Sequence, residues 1–230
     1  MSHYGKFRIC TSIYASNYKK LQNRISEAFS SKTDIIEIRT DYLTRFNSKL
    51  LEKAIGPYMN RCIITCRPIY EGGHFIGEES IRLKWLSEVA EMNPAFIDLE
   101  LESAKTISEN IHELFPGDIS LIISSHNYQN TPTITELKRM AKDSISIGSY
   151  VKIITKANSI EDNTTILSLY NHIKRGNLIS FCMGNNGLIS RILCPMVGSP
   201  FTYASLGNLV TADGQIPVSE LKRIYEAVQT

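Results

Sequence analysis

The stretch SYVKIITKA at 149–157 places Lys152 inside an apolar, β-branched run of the kind that forms a buried strand. A buried ammonium is costly unless paired, and burial favours loss of its proton. A neutral amine in a dry pocket is a nucleophile for carbonyl carbon, the chemistry of imine-forming enzymes. The plainer reading is a strand-end lysine that snorkels to water. What the neighbouring runs carry decides between the two.

Outward from this run the chain repeats one pattern. FRICTSIYA at 7–15 reads as a strand and is followed by the helical stretch NYKKLQNRISEAFSS. DIIEIRTDYL at 34–43 precedes NSKLLEKAIGPYM, with an asparagine cap, and RCIITCRP at 61–68 precedes EESIRLKWLSEVAEM. AFIDLEL at 95–101 leads into SAKTISENIHELF, and DISLIISSHNY at 118–128 into TITELKRMAKDS. SYVKIITKA leads into SIEDNTTILSLYNHIKRG, NLISFCMG at 177–184 into GLISRILCPMV, and FTYASL at 201–206, after a loop, into PVSELKRIYEAV. These are eight strand-then-helix units with no linker between them. Such units need parallel pairing with right-handed crossovers. Closure gives a single-domain (β/α)8 TIM barrel spanning residues 1–230. The alternative is an open doubly wound sheet. That sheet would want a glycine-rich turn after its first strand, where this chain has YASNY.

Composition narrows the functions. Twenty-five basic and 23 acidic residues leave a formal charge of +2 with no long basic stripe, which argues against a nucleic-acid partner. No run of 18 apolar residues suggests a membrane span, and MSHYGKFRIC lacks the apolar core of a signal peptide. The five cysteines are odd in number and mostly lie in apolar strand-like segments, which fits reduced thiols in a cytoplasmic protein. Cys62 and Cys66 stand four residues apart, roughly 13 Å along a strand, too far to share one metal ion.

In a barrel of this kind chemistry sits where the strands end. Strand two ends with Glu37, Arg39 and Asp41, whose period-two spacing puts them on one face. Strand three ends with Arg67, followed by Glu71-Gly72-Gly73. Strand four carries Asp98 and Glu100 within an apolar run, and strand five ends with Ser124, Ser125 and His126. Strand seven ends at Met183-Gly184, Arg191 lies on the next helix, and Ser199 precedes strand eight. Helices cover the outside of the strands, so these charges are expected to point into the barrel mouth. The competing account is an internal salt-bridge network. His3, His112 and His172 fall on the tail or on polar helix faces, and His74 falls in a loop after Glu71. His126 ends a buried strand, as suits a general base. Lys156 has the parity of Lys152, so spacing leaves the choice of lysine open.

With these residues placed, the chain resembles type I 3-dehydroquinate dehydratase. The segments that carry the resemblance run in order over nearly the whole chain: EIRTDYL, TCRPIYEGG, IDLEL, SSHNYQNTP, VKIITKA, MGNNGLISR, VGSPFTYASL and TADGQI. The family is a (β/α)8 barrel, usually a homodimer, that needs no metal or cofactor. It converts 3-dehydroquinate to 3-dehydroshikimate in the shikimate pathway of aromatic amino-acid biosynthesis. The resemblance implies that Lys152 forms the imine, that His126 is the general acid and base, and that Glu71 orients it. It implies that Arg191 clamps the substrate carboxylate. Glu37, Arg39 and Arg67 would hold hydroxyls and ring, and Gln215 would belong to a closing loop. That loop usually reads Ser-Ala-Pro-Gly-Gln and here reads Thr211-Ala212-Asp213-Gly214-Gln215. Thr211 keeps a hydroxyl, whereas Asp213 sets an anion where a rigid proline is usual. Most of the leading hairpin that many members carry is expected to be absent ahead of strand one.

The residue types support this chemistry directly. A neutral Lys152, its proton disfavoured by burial and by Arg39 and Arg67, would attack a ketone. The protonated imine is an electron sink that acidifies the adjacent carbon for His126. A class I aldolase is a second enzyme reading. It would want a phosphate nest after strands seven and eight, which GNNG could supply. A degenerate barrel kept for binding is a third, opposed by the presence of Lys152, His126, Glu71 and Arg191 together.

Overall fold

The computed structural model describes residues 7–117 and 119–229. His3 and Asp118, the first residue of the fifth expected strand, lie outside the described residues. Eight strands form one sheet: β1 Ile9–Tyr14, β2 Ile35–Arg39, β3 Cys62–Thr65, β4 Phe96–Glu100, β5 Leu121–Asn127, β6 Tyr150–Lys156, β7 Leu178–Met183 and β8 Thr202–Ser205. Their order is β7-β6-β5-β4-β3-β2-β1-β8, and every pairing is parallel. The chain thus walks around a nearly closed (β/α)8 barrel, without the reversal of order that a doubly wound sheet requires.

The helices are α1 Tyr18–Ser30, α2 Ser48–Ile55, α3 Glu79–Ala90, α4 Leu101–Thr106, α5 Ile111–Leu114, α6 Ile134–Ile145, α7 Asp162–Ser168, α8 Leu188–Val197 and α9 Val218–Gln229. Asn17 and Asn47 cap α1 and α2 by accepting from Lys20 N and Leu50 N, and Thr133 with Glu136 forms a capping box on α6. The expected helix over 103–115 divides into α4 and α5. Ser108 N and Asn110 N instead bond to the carbonyls of Lys105 and Ile107 in tight turns. Serine and asparagine favour such local turns over continued helix.

The two faces of the sheet do different work. Outward residues such as Ile13, Ile36, Ile38, Ile64, Leu99 and Ile123 pack in one cluster with Leu21, Ile25, Leu51 and Leu86. Inside, Cys10, Ile35, Ile63, Ile122, Ile179 and Phe201 form an apolar floor. Two residues further along the strands the interior turns polar. The register sets Ser12 beside Glu37, Thr65 beside Asp98, and Ser124 beside Lys152. Asp41 departs from expectation, because the strand ends at Arg39 and Asp41 sits in the 3-10 turn Thr40–Tyr42.

All five cysteines are free and buried. Burial pushes the thiols of Cys66 and Cys194 up to about 12. Among the described residues no group of three metal-ligating side chains converges. No described helix is long and apolar enough to cross a membrane.

Candidate active site

Lys152 rises from β6 into the centre of the mouth and is 4% exposed. Its Nζ donates to Glu37 Oε1 at 3.0 Å and to Asp98 Oδ2 at 2.9 Å, and lies 4.5 Å from the centre of the Tyr203 ring. Lys156, at the end of the same strand, is exposed. The expectation of a neutral amine in the free site is overturned. Burial favours the uncharged form, but the Asp98 and Glu37 carboxylates outweigh burial and the opposing Arg67, so the lysine titrates above its ordinary value. The resting group is an ammonium, locked between two carboxylates.

Those carboxylates belong to a larger array. Arg67, just past β3, donates from Nη2 to Asp98 Oδ1 at 2.8 Å and from Nη1 to Glu100 Oε1 at 2.6 Å and Ser124 Oγ at 2.8 Å. Glu37 also accepts from Ser12 Oγ at 2.6 Å. Asp98 is held well below the usual carboxylate range: burial opposes ionisation, and Arg67 and Lys152 overcome it. Arg39 pairs bidentately with Asp41, at 2.8 and 2.7 Å. The salt-bridge network of the competing account is therefore present, and Lys152 is part of it. Glu100 does not simply face the mouth, since its second oxygen turns outward to Arg82 of α3 at 2.6 Å.

His126, at the end of β5, places Nδ1 2.9 Å from Glu71 Oε2. Glu71 follows β3 in a 3-10 turn, and the glycines after it explain the turn. Gly72 has φ of +73°, and a Cβ on Gly73 would collide with the Arg67 carbonyl. Burial raises the Glu71 carboxyl to about 7. Burial, then Arg67 and Lys152, pushes His126 well below its ordinary value, so its ring is neutral at neutral pH. With Glu71 ionised and accepting from Nδ1–H, the free lone pair lies on Nε2. His74 instead lies tilted against the Tyr42 ring, its side chain 56% exposed.

The opposite wall differs. Arg191 of α8 is 1% exposed, its guanidinium carbon 4.4 Å from the centre of the Phe181 ring. Its Nη2 donates to the Asp213 carbonyl at 3.1 Å, while Nε has no partner among the described residues. Burial lowers its titration to about 10. Thr211 donates from N and Oγ1 to Gln215 Oε1 at 2.8 and 3.2 Å, so these two lining residues engage one another. The Asp213 residue is exposed, and its carbonyl also accepts from Gly184 N at 3.3 Å.

One cavity brings together Glu37, Arg39, Arg67, His126, Lys152 and Arg191, with Thr211 and Gln215 above. Glu71 backs His126 from behind. The same cavity is lined by Met183 at the end of β7 and by Tyr128, Phe181 and Tyr203, which sequence reasoning did not single out. Tyr203 had a signal, since it shares the inward parity of Phe201.

A parallel (β/α)8 barrel with a buried lysine, a carboxylate-backed histidine and an arginine free to take an anion defines an enzyme-type mouth. Residues 9–230 match the model of type I 3-dehydroquinase, and the chain belongs to that family. It is 38% identical over 198 residues to a 3-dehydroquinate dehydratase of Dehalococcoides mccartyi, covering 84% of this chain and 85% of the relative. It is 33% identical to the chloroplastic bifunctional 3-dehydroquinate dehydratase/shikimate dehydrogenase of Arabidopsis thaliana, covering 94% of this chain and 36% of that protein. The crystal structure of 3-dehydroquinate dehydratase from Geobacillus kaustophilus superposes with a TM-score of 0.88 at 21% identity, covering 97% of this chain and 91% of that one.

Proposed function

We propose that the chain acts as one catalytic barrel that dehydrates 3-dehydroquinate to 3-dehydroshikimate through an imine on Lys152. The observation that carries this reading is a buried lysine and a neutral, Glu71-backed histidine facing one cavity with an unpaired arginine. Family membership supports the substrate. In this reading Arg191 grips the carboxylate, Arg39, Arg67 and Glu37 position ring and hydroxyls, and Thr211 and Gln215 close above.

The charge state of Lys152 fits a balanced sequence. The ammonium lends a proton to a contacting carboxylate, and Nζ attacks the ketone carbon. The lent proton and a second one from Nζ leave with the carbonyl oxygen as water, so the protonated imine keeps one N–H. His126 then removes a proton from the adjacent carbon, and the electron pair forms an enamine. The enamine expels the β-hydroxyl, which takes the proton from His126 and departs as water. Hydrolysis of the remaining imine frees the product and restores the ammonium. The protein would work in the cytoplasm as a homodimer, on the shikimate pathway.

Borohydride added with 3-dehydroquinate should fix one reduced adduct on Lys152, located by peptide mapping. An adduct on Lys156, or none during turnover, sinks the imine. An aldolase reading gains nothing from barrels of that class, whose likeness at 12–14% identity concerns fold alone.

A further inference from the structure

Arg82 is fully buried, yet it lies outside the mouth. It sits on α3 between helix and sheet, a layer otherwise packed with Leu83, Leu86 and Val89. A guanidinium there is costlier to bury than an apolar side chain of its size. All its polar atoms are engaged. Nε and Nη2 hold Glu79 at 2.8 and 2.6 Å, Nη2 also reaches Ser103 Oγ at 2.9 Å, and Nη1 reaches the Cys66 carbonyl at 2.8 Å. Nη1 also lies 2.6 Å from Glu100 Oε2.

Glu100 faces two ways, with Oε1 on Arg67 at 2.6 Å. A continuous chain of contacts therefore runs Arg82, Glu100, Arg67, Asp98, Lys152, Glu37, with no link longer than 3.0 Å. Among the described residues of the mouth, Glu37, Asp98 and Glu100 make their direct ion pairs with Lys152 and Arg67, while Arg39 acts on Glu37 from further away. Arg82 is the cation that brings this chain into balance, since its other partner, Glu79, is 39% exposed and screened by water.

We propose that Arg82 is a positioning residue: from behind the sheet it keeps Glu100 ionised, and ionised Glu100 fixes Arg67 against Asp98 and beside Glu71. This deepens the reading of Glu71 and His126 as the acid–base pair and rests on it. Burial already raises the Glu100 carboxyl with Arg67 and Arg82 beside it, and losing Arg82 raises it further towards the protonated form. Glu71 registers the loss. It is faced by His126 of β5 at 2.9 Å and by Arg67 at 3.6 Å, and its carbonyl accepts from the Tyr128 hydroxyl at 3.1 Å. Asp98 and Glu100 of β4 and Lys152 of β6 act on it through space. Removing the Glu100 charge relieves a repulsion, so Glu71 ionises at lower pH.

The test follows the His126 ring by NMR in the free protein, because that ring shares a hydrogen bond with Glu71. Arg82→Met and Glu100→Gln should move the transition to lower pH by about half a unit or more. Arg82→Lys keeps the charge and should leave the transition in place, while its lost hydrogen bonds lower the melting temperature. An arginine that only packs gives another pattern, with stability changing and the titration fixed in all three. An unmoved transition in Arg82→Met or Glu100→Gln overturns the proposal, as does Arg82→Lys moving as far as Arg82→Met. If Arg82→Met does not fold, Glu100→Gln and Arg82→Lys decide by the same criteria. Turnover of 3-dehydroquinate by the unmodified protein is measured separately. Its absence would defeat the assigned reaction while the titration still judges Arg82; turnover with an unmoved titration defeats the Arg82 proposal alone.

Discussion

The two sides of the barrel mouth hold their cations under opposite conditions. On the arc from β2 to β6, Arg39, Arg67 and Lys152 each lie within 3.0 Å of a buried carboxylate. On the arc of β7, β8 and α8, no described carboxylate faces Arg191, which rests on an aromatic ring and one backbone carbonyl. Paired charges are held in place and give orientation. A buried charge without a counter-ion carries an unmet desolvation cost, which an incoming anion offsets. The paired arc is thus suited to chemistry and the unpaired wall to capture.

The strongest way to break this division is Lys152→Met. Turnover should fall on the order of 10⁴-fold or more, with no borohydride adduct. Glu37 would lose its cation and Asp98 one of two, so denaturant melts at neutral pH should show a loss of about 3–5 kcal/mol. The sign in the parent protein follows from its raised titration. The Lys152 contribution is complete at neutral pH and disappears as pH climbs above 10.5 through the folded value. A variant as stable as the parent would mean that the pairing holds nothing together.

Next in size is His126→Ala, which should still form the imine but turn over about 10²–10⁴-fold more slowly. Near-normal turnover would remove His126 from the chemistry. Arg191→Lys tests the capture wall. A guanidinium grips a carboxylate through two parallel hydrogen bonds, and an ammonium cannot. KM should rise about 10- to 100-fold with a much smaller change in kcat. An unchanged KM would place the carboxylate against the paired arc and invert the comparison. The smallest effect is expected at Asp213. This residue is exposed to solvent, so Asp213→Asn should alter KM by less than about twofold. A large fall in KM would mean that the Asp213 anion repels substrate.

The barrel was legible because eight β-branched runs alternate with amphipathic helices, and the structure keeps all eight strands. Lys152 was legible as an ionisable group inside an apolar strand, His126 at a strand end, Glu71 in the turn after β3, and Arg191 on the helix after β7. The charge on Lys152 was not. It depends on Glu37 and Asp98, 115 and 54 residues away, whose common focus exists only once the strands are in register. Asp41 was misplaced because period-two spacing continues past the point where the backbone turns. Arg82 gave no signal, since a basic residue in a helix reads as solvent-facing until the partner behind it is known.

The five buried thiols give this protein an internal clock. Each lies in the barrel or in the helix packed on it, and none is exposed. A thiolate is the form that alkylating reagents attack, and Cys66 and Cys194 resist ionising while folded. Released into water, the same side chains return to ordinary reactivity. Alkylation of the native protein then counts openings of the structure and not collisions with its surface. Cys66 reports on the strand-three side that carries Arg67, and Cys194 on the helix that carries Arg191. A difference in their labelling rates would show which side of the mouth lets go first.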